Sequence, residues 1–200
     1  PPRSTLFPYT TLFRSEKSIN SVERKKKEEL DKESAKVVQE AVEGVMLTKK
    51  AYQYLEEDKS SEAKESIVKA LSKIDAAMAT KQGITLLPIE TDVQVLMQMD
   101  DLATAIEQRE AAINMLEGGD LQAARTLLAP MVDEISVDTF FVPVNAYKKE
   151  LNDALGYLGN DKKWEARQSL KAALSSFILD TEVIPIPIIE AESLIDEAIE

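Results

Sequence analysis

Acidic side chains are the most abundant candidates for chemistry in this sequence. The 200 residues include 36 Asp and Glu but no His and no Cys. Without an imidazole or a thiol, the chain cannot form a Ser-His-Asp triad, a histidine metal site, a zinc–thiolate site or a disulfide. Any catalysis would therefore have to rely on carboxylates, lysines and tyrosines.

The acids with the most suggestive spacing are Asp100, Asp101, Glu107 and Glu110, which could share one turn of a helix. A di-metal carboxylate site in a helical bundle normally combines such acids with histidines in Glu-x-x-His motifs. Because this chain has no histidine, we interpret these residues as surface acids. We expect no catalytic residue, no metal site and no cofactor.

Two glycine-containing loops could be mistaken for calcium sites, Gly118-Gly119-Asp120 and Gly159-Asn160-Asp161. Neither has the alternating acids and the glutamate at position twelve of a calcium loop, so both are interpreted as hairpin turns. Motifs of serine nucleophiles are absent from contexts suited to catalysis, and no glycine-rich phosphate loop occurs. The sequence therefore favours a protein that is not an enzyme.

Two arginines are candidates for contact with a ligand or partner. Arg125 and Arg167 each directly follow an alanine, Ala124 and Ala166, at which helices are expected to cross. Their long stems could cover apolar surface while the guanidinium groups pair with acids. They could instead belong to a cluster that binds an anionic ligand. The structural interpretation is favoured, and both stay open.

Phe141 is a candidate contact because it belongs to an apolar segment that could pack across a subunit boundary. Three other aromatic residues have an ambiguity like that of the arginines: Tyr147, Tyr157 and Trp164, the last being the only tryptophan. Large aromatic side chains at the end of a helix pair either cap a core or anchor a partner. For Trp164 we favour capping of the core.

The elements that would position these side chains come from a pattern that occurs three times. Each copy begins with Ala, has Leu four residues later, Ala at twelve and a basic residue at thirteen, and continues with apolar residues. Both halves have helical spacing and a polar turn separates them, so each copy predicts a helix–turn–helix hairpin. The copies begin at Ala51, Ala112 and Ala154.

An apolar segment that contains proline follows each hairpin. The segments cover residues 84–89, 140–144 and 183–188. Proline excludes the first from the centre of a sheet. The three could line the groove between hairpins, pair with one another as short strands, or pack across a subunit boundary. The predicted fold is therefore mainly α, with irregular helical-hairpin repeats, tetratricopeptide-like packing and short extended segments between hairpins.

Apolar periodicity predicts three further helical stretches. One begins at Leu30 and runs into the first hairpin. Residues 90–110 are expected to extend the first helix of the second hairpin. Residues 188–200 are expected to form a last amphipathic helix, whose inward residues are Ile189, Leu194, Ile195 and Ala198.

The first fifteen residues do not match the rest of the chain. Residues 5–15 resemble the translation of a sequencing-adapter oligonucleotide, so residues 1–15 are interpreted as a disordered assembly artefact. The native start is then missing, and nothing at this end indicates a compartment. Residues 16–36 are interpreted as a charged helical lead-in and residues 37–200 as a single helical domain.

Charge and hydropathy limit the possible partners. The net charge of −12 disfavours binding to nucleic acid, because phosphate backbones would be repelled. There is no apolar run of the roughly 20 residues that a membrane span requires.

The region from about Val37 to Ile199 resembles the YfdX family of bacterial proteins. The resemblance is carried by the order of its segments, which are VEGVMLTKKAYQYLEEDKSSEAKESIVKAL, LLPIETDV, AINMLEGGDLQAARTLL, FFVPVNAY, ALGYLGNDKKWEARQSLKAALSSF and VIPIPIIEAESLIDEA. It implies a mostly helical, oligomer-forming protein, commonly periplasmic and associated with acid-stress and drug-resistance regulons. It brings no agreed catalytic residues.

Two hypotheses of function are open at this point. The first is a non-enzymatic interaction protein of the bacterial envelope stress response that forms homo-oligomers. The second is a small-molecule-binding protein that sequesters apolar or cationic compounds, because apolar segments occur beside many acids.

Overall fold

The computed structural model describes residues 16–80, 83–97, 102–129 and 131–199. These residues form eight helices and a sheet of three strands, so the prediction of a mainly helical protein is confirmed. The helices are α1 (Glu16–Ser34), α2 (Gln39–Glu56), α3 (Ser60–Thr80), α4 (Leu102–Glu117), α5 (Leu121–Leu128), α6 (Val144–Gly159), α7 (Lys163–Leu174) and α8 (Ile186–Ile199). The strands are β1 (Leu86–Met97), β2 (Asp133–Pro143) and β3 (Ile178–Pro185). Residues 1–15, Asp100 and Asp101 lie outside the described residues.

Three pairs of consecutive helices pack against each other: α2 with α3, α4 with α5, and α6 with α7. Each pair contains one copy of the repeated pattern. All six alanines that open the two halves of the copies are buried, as expected where helices approach closely; they are Ala51, Ala63, Ala112, Ala124, Ala154 and Ala166. The tetratricopeptide-like character of the packing stays a prediction.

The three hairpin turns share one backbone conformation. The residue seven positions after the first alanine of each copy has a left-handed backbone, with φ of 60° at Asp58, 81° at Gly119 and 57° at Asp161. The next amide donates to the carbonyl five residues earlier; the pairs are Lys59 to Tyr54 at 2.8 Å, Asp120 to Met115 at 2.8 Å, and Lys162 to Tyr157 at 2.9 Å. This bond is characteristic of the Schellman motif that ends a helix. The repeat in sequence is therefore also a repeat in turn geometry.

The three strands pair in the order β1-β2-β3, and each overlaps one of the proline-containing segments. Residues 186–188 of the third segment were expected to be extended, but they begin α8. Pro88 lies within β1, an edge strand, where its missing N–H is tolerated. Pro143 and Pro185 are the last residues of β2 and β3. Side chains also connect neighbours, since the Thr181 hydroxyl donates to the Asp138 carboxylate at 2.6 Å.

The strands are longer than the predicted extended segments, and β1 includes residues that were predicted to be helical. Residues 90–97 were expected to be helical, but they belong to β1. The alternation of Thr91, Val93, Val95 and Met97 has the period of two that a strand requires. The second hairpin also ends early, because α5 stops at Leu128 and Met131 is not helical.

Two predictions about the outer helices are also wrong. The helix expected to start near Leu30 and run into the first hairpin is interrupted between Ser34 and Gln39. In α8, Ile189 is buried as predicted, but Leu194, Ile195 and Ala198 are exposed. The sequence of α8 is apolar on two faces, so periodicity alone did not identify the inward one.

The chain divides into two compact units that alternate along the sequence. Of the described residues, unit 1 takes those up to Glu29, those between Val93 and Val137, and those from Glu182 onwards; unit 2 takes the rest. The interpretation of residues 37–200 as a single domain is not tested by this division and stays a prediction.

Unit 2 is built from the first and third hairpins. Helix α2 packs on α7 and α3 packs on α6, so the two hairpins cover each other. Their core includes Ile67, Ile74, Leu151 and Leu170, all fully buried. On the surface, Lys148 of α6 pairs with Asp75 of α3.

Unit 1 has a smaller core. The buried residues Val22, Val93, Ile135, Val137, Ile186 and Ile189 pack together. The hairpin of α4 and α5 also belongs to this unit.

Candidate functional site

The second hairpin carries an open apolar groove of about 370 Å³, which we call the hairpin groove. Its lining consists of Leu116, Leu121, Ala124, Arg125, Leu128 and Ala129. Five of the six are apolar, and Arg125 supplies the single charge on the lining. Such a surface suits an apolar partner that carries an acid at its edge.

The groove exists because repeat positions that are core elsewhere are exposed here. Leu116 and Leu128 are 45% and 40% exposed, whereas their equivalents Leu55 and Ile67 in the first hairpin are 5% and 0% exposed. In unit 2 the first and third hairpins bury these positions against each other. The second hairpin has the same apolar pattern, but the described residues leave it uncovered.

Local structure fixes the floor of the groove. The Asp120 carboxylate accepts a hydrogen bond from the Ala123 amide at 3.0 Å and so caps the N-terminus of α5. This cap matters because α5 has only eight residues. The buried Ala124 lets α5 approach α4.

Arg125 is exposed and makes no ion pair within the described part of the chain. Arg167, its equivalent in the third hairpin, is half-buried and likewise has no acid partner there. The described residues therefore supply no acid partner for either arginine, and both interpretations of these residues stay predictions. Arg125 is the predicted site residue that lines the groove.

Tyr147 belongs to the core of unit 2 rather than to a surface. It is fully buried and stacks on Phe177, with ring centroids 6.1 Å apart. Burial raises the pKa of the Tyr147 phenol well above its usual value, and the nearby Thr48 hydroxyl opposes this effect. The two oxygens do not reach hydrogen-bond geometry, which leaves the phenol without a hydrogen-bond partner in the described residues. Tyr147 therefore cannot contact a ligand without opening the core.

The other aromatic candidates are more accessible. Trp164 is 63% exposed, so the expectation that it caps a core is wrong. Tyr157 is exposed near the end of α6, and Phe141 is half-buried in β2. Their availability leaves contact with a partner as the remaining hypothesis for Trp164 and Tyr157.

The acids considered for metal binding are separate surface residues where they are described. Glu107 and Glu110 are exposed on α4. Within residues 16–80, 83–97, 102–129 and 131–199, no three His, Cys, Asp or Glu side chains come together as a metal site would require. None of the helices in the same residues combines the length and hydropathy that a membrane crossing would need.

Leu116, Leu121 and Leu128 are the site residues that sequence reasoning missed. The repeat marks Leu116 and Leu128 as core positions by analogy with the other two hairpins. No local signal distinguishes the uncovered hairpin from the covered ones, because burial here depends on packing between hairpins.

Comparison with known proteins agrees with this fold. The YfdX protein family model matches residues 44–183. A solved structure of Salmonella Typhi YfdX is similar, with a TM-score of 0.52 and 14% sequence identity. The similarity covers 75% of this chain and 93% of that chain. No curated protein sequence gives a significant match. Since the family match extends over more than half of the chain, this protein belongs to the YfdX family.

Proposed function

We propose that this protein is a non-enzymatic interaction protein that forms homo-oligomers through unit 1 and acts in the bacterial envelope stress response. The hairpin groove carries this proposal. Leu116, Leu121 and Leu128 form an apolar surface on a chain that is otherwise strongly charged. Contiguous apolar patches of this kind mark interaction sites in soluble proteins.

Two further observations support an interaction role. The residue types needed for triads and histidine metal sites are absent from the whole sequence. The equivalent surfaces of the first and third hairpins are used for hairpin-to-hairpin packing, so the second hairpin has the surface chemistry of an element that packs on another hairpin or helix. The assignments to stress response and to the periplasm rest on the family resemblance described above.

Measurement of mass in solution tests the oligomer. Light scattering coupled to size-exclusion chromatography should give a mass that is at least twice the 22.2 kDa of one chain. Leu121→Glu should shift this mass to that of one chain, because it places a charge in the apolar lining, where loss of its hydration opposes association.

Met46→Glu is the matched control, since Met46 is 63% exposed and Leu121 is 67% exposed. Met46 belongs to α2 of unit 2, so this variant should keep the mass of the unchanged protein. A single-chain mass for the unchanged protein at all accessible concentrations would rule out the homo-oligomer.

Small-molecule binding is the second candidate function, and the groove gives it specific support. A volume of about 370 Å³ and an apolar lining suit a small apolar ligand. Arg125 favours a neutral or anionic compound over a cationic one. Native mass spectrometry would support this candidate if the purified chain carried one small ligand per subunit, lost on Leu121→Glu.

A further inference from the structure

Helix α8 has a second apolar face that unit 1 does not bury. Ile186 and Ile189 point into the core of unit 1. On the opposite side of the helix, Ile188, Ile195 and Ile199 are 54%, 58% and 79% exposed. Their spacing of seven and four residues places them on one stripe, together with Ala191. We call these four residues the α8 stripe.

The edge of the stripe is acidic. Glu192 and Asp196 lie one turn apart on the helix beside the stripe, and both are exposed. Helix α8 contains no Lys or Arg. The hairpin groove has the complementary composition, an apolar lining with the exposed and unpaired Arg125 at its edge.

The dimensions of the two surfaces also agree. The stripe from Ile188 to Ile199 spans about 16 Å at the rise of an α-helix. Helix α5, which forms one side of the groove, is about 12 Å long by the same rise. An amphipathic helix laid in an apolar groove is a common mode of recognition.

We propose that the α8 stripe of a second copy of this chain occupies the hairpin groove, with Glu192 or Asp196 of α8 paired with Arg125. This inference rests on the proposed homo-oligomer and names its contact. Among the described residues, α8 makes no extended contact with α4 or α5 of its own chain. Because both surfaces belong to unit 1, two copies related by a two-fold axis exchange the same contact twice.

Ile195→Glu tests the stripe and Leu194→Glu is its control. Leu194 is 63% exposed, close to the 58% of Ile195, but it lies about a quarter turn away from the stripe. Sedimentation equilibrium should show that Ile195→Glu weakens self-association by about tenfold or more, while Leu194→Glu leaves it within about threefold.

Charge reversal tests the ion pair. Arg125→Glu places a carboxylate against the acidic edge and should weaken association. Adding Glu192→Arg and Asp196→Arg to Arg125→Glu should restore it at least partly, since the reversed charges attract again. Failure of the reversed charges to restore association in a folded variant would overturn the proposed pairing.

A disulfide maps the contact directly, because these 200 residues include no cysteine. When the Leu121→Cys chain is mixed with the Ile195→Cys chain under mild oxidation, disulfide-linked pairs should contain one chain of each kind. A Met46→Cys chain mixed with the Ile195→Cys chain should give no comparable product.

The outcomes separate the two proposals. If the unchanged protein is oligomeric but Ile195→Glu does not weaken association and the mixed disulfide does not form, the α8 contact is wrong. The homo-oligomer then still stands. If the unchanged protein has the mass of a single chain throughout, both are wrong.

Discussion

Tyr147 is the residue whose chemistry is most altered by its surroundings. It is fully buried in unit 2, and its hydroxyl lacks a hydrogen-bond partner in the described residues. A buried hydroxyl without a partner costs free energy, whereas the aromatic ring contributes packing. The ring and the hydroxyl of this side chain therefore act in opposite directions on stability.

Replacement of Tyr147 by Phe should separate these contributions. Since the ring stays in place, Tyr147→Phe should leave the free energy of unfolding unchanged or raise it by up to about 1 kcal/mol. Tyr147→Ala removes the packing and should lower it by about 3–5 kcal/mol. Urea denaturation at neutral pH measures both. A loss of more than about 1 kcal/mol in the Phe variant would show that the hydroxyl is bonded.

The raised pKa of Tyr147 also predicts a dependence on alkaline pH. Above about pH 10 the phenol loses its proton in the unfolded chain but keeps it in the folded protein. The unfolded state then binds fewer protons, so the contribution of Tyr147 is complete below this pH and decreases as pH rises. Unfolding free energies of the natural protein and of Tyr147→Phe should therefore diverge in this alkaline range, and parallel curves would contradict the shift.

Gly44 occupies a position in α2 where the helices are in close contact. A Cβ atom there would lie 2.9 Å from Ile74 Cδ1 and 3.3 Å from the Ala70 carbonyl oxygen. Gly44→Ala should therefore lower stability by about 1–3 kcal/mol, although alanine is the better helix former.

Gly156→Ala is the matched control, because this helical glycine has no atom within 4 Å of an added Cβ. We expect it to raise stability by up to about 1 kcal/mol. Ile74→Val removes the Cδ1 atom and should reduce the cost of Gly44→Ala in a double-mutant cycle. Equal effects of the two alanine substitutions would contradict the close packing of α2 on α3.

At the scale of elements, the common turn of the three hairpins gives a prediction of its own. The left-handed position is Gly in the second hairpin and Asp in the other two. Because a side chain in this conformation is strained, Gly119→Ala should lower stability by about 1 kcal/mol, although its added Cβ would meet nothing within 4 Å. Asp161→Gly should raise stability by up to about 1 kcal/mol. The relief of left-handed strain at this position exceeds the extra conformational entropy that glycine loses on folding.

Gly118→Ala is the control for Gly119→Ala, because Gly118 is the adjacent glycine and does not have a positive φ. Thermal unfolding compares the three variants. If Gly118→Ala costs as much as Gly119→Ala, the turn conformation is not the cause.

The sequence determines the hairpins more clearly than the strands. Helical spacing and the paired alanines predict the positions of the three helix pairs, and Ala51 and Ala154 are buried as expected. Residues 90–97 were assigned to a helix because their apolar content continues into α4. Their alternation, visible at Val93 and Val95, is the signal that fits the strand.

Sequence reasoning found one part of the candidate site and missed the other. Arg125 was singled out by its place in the repeat, and it lines the groove. Leu116 and Leu128 occupy repeat positions that are core in the other hairpins, and a repeated pattern carries no information on which copy is covered by another hairpin. The position of Ile195 could not be predicted for a similar reason. Helix α8 has two apolar faces, and only the face with Ile189 is buried.

At the scale of the whole molecule, the two units use one repeat differently. In unit 2 the first and third hairpins bury their apolar faces against each other. In unit 1 the second hairpin keeps Leu116, Leu121 and Leu128 exposed, and α8 keeps its stripe exposed. Since hydrophobic burial is the main gain in association, the proposed assembly of copies through unit 1 would complete a packing pattern that unit 2 completes within the chain.

The measurement that tests this claim most directly is the accessibility of Leu121 in the assembled protein. A single thiol introduced by Leu121→Cys can be labelled with a maleimide over a series of protein concentrations, with Met46→Cys as the reference. We predict slow labelling of the Leu121→Cys thiol at high concentration and faster labelling on dilution, while the reference labels rapidly throughout. If the Leu121→Cys thiol reacts as fast as the reference at every concentration, this surface is not an interface between copies of the chain.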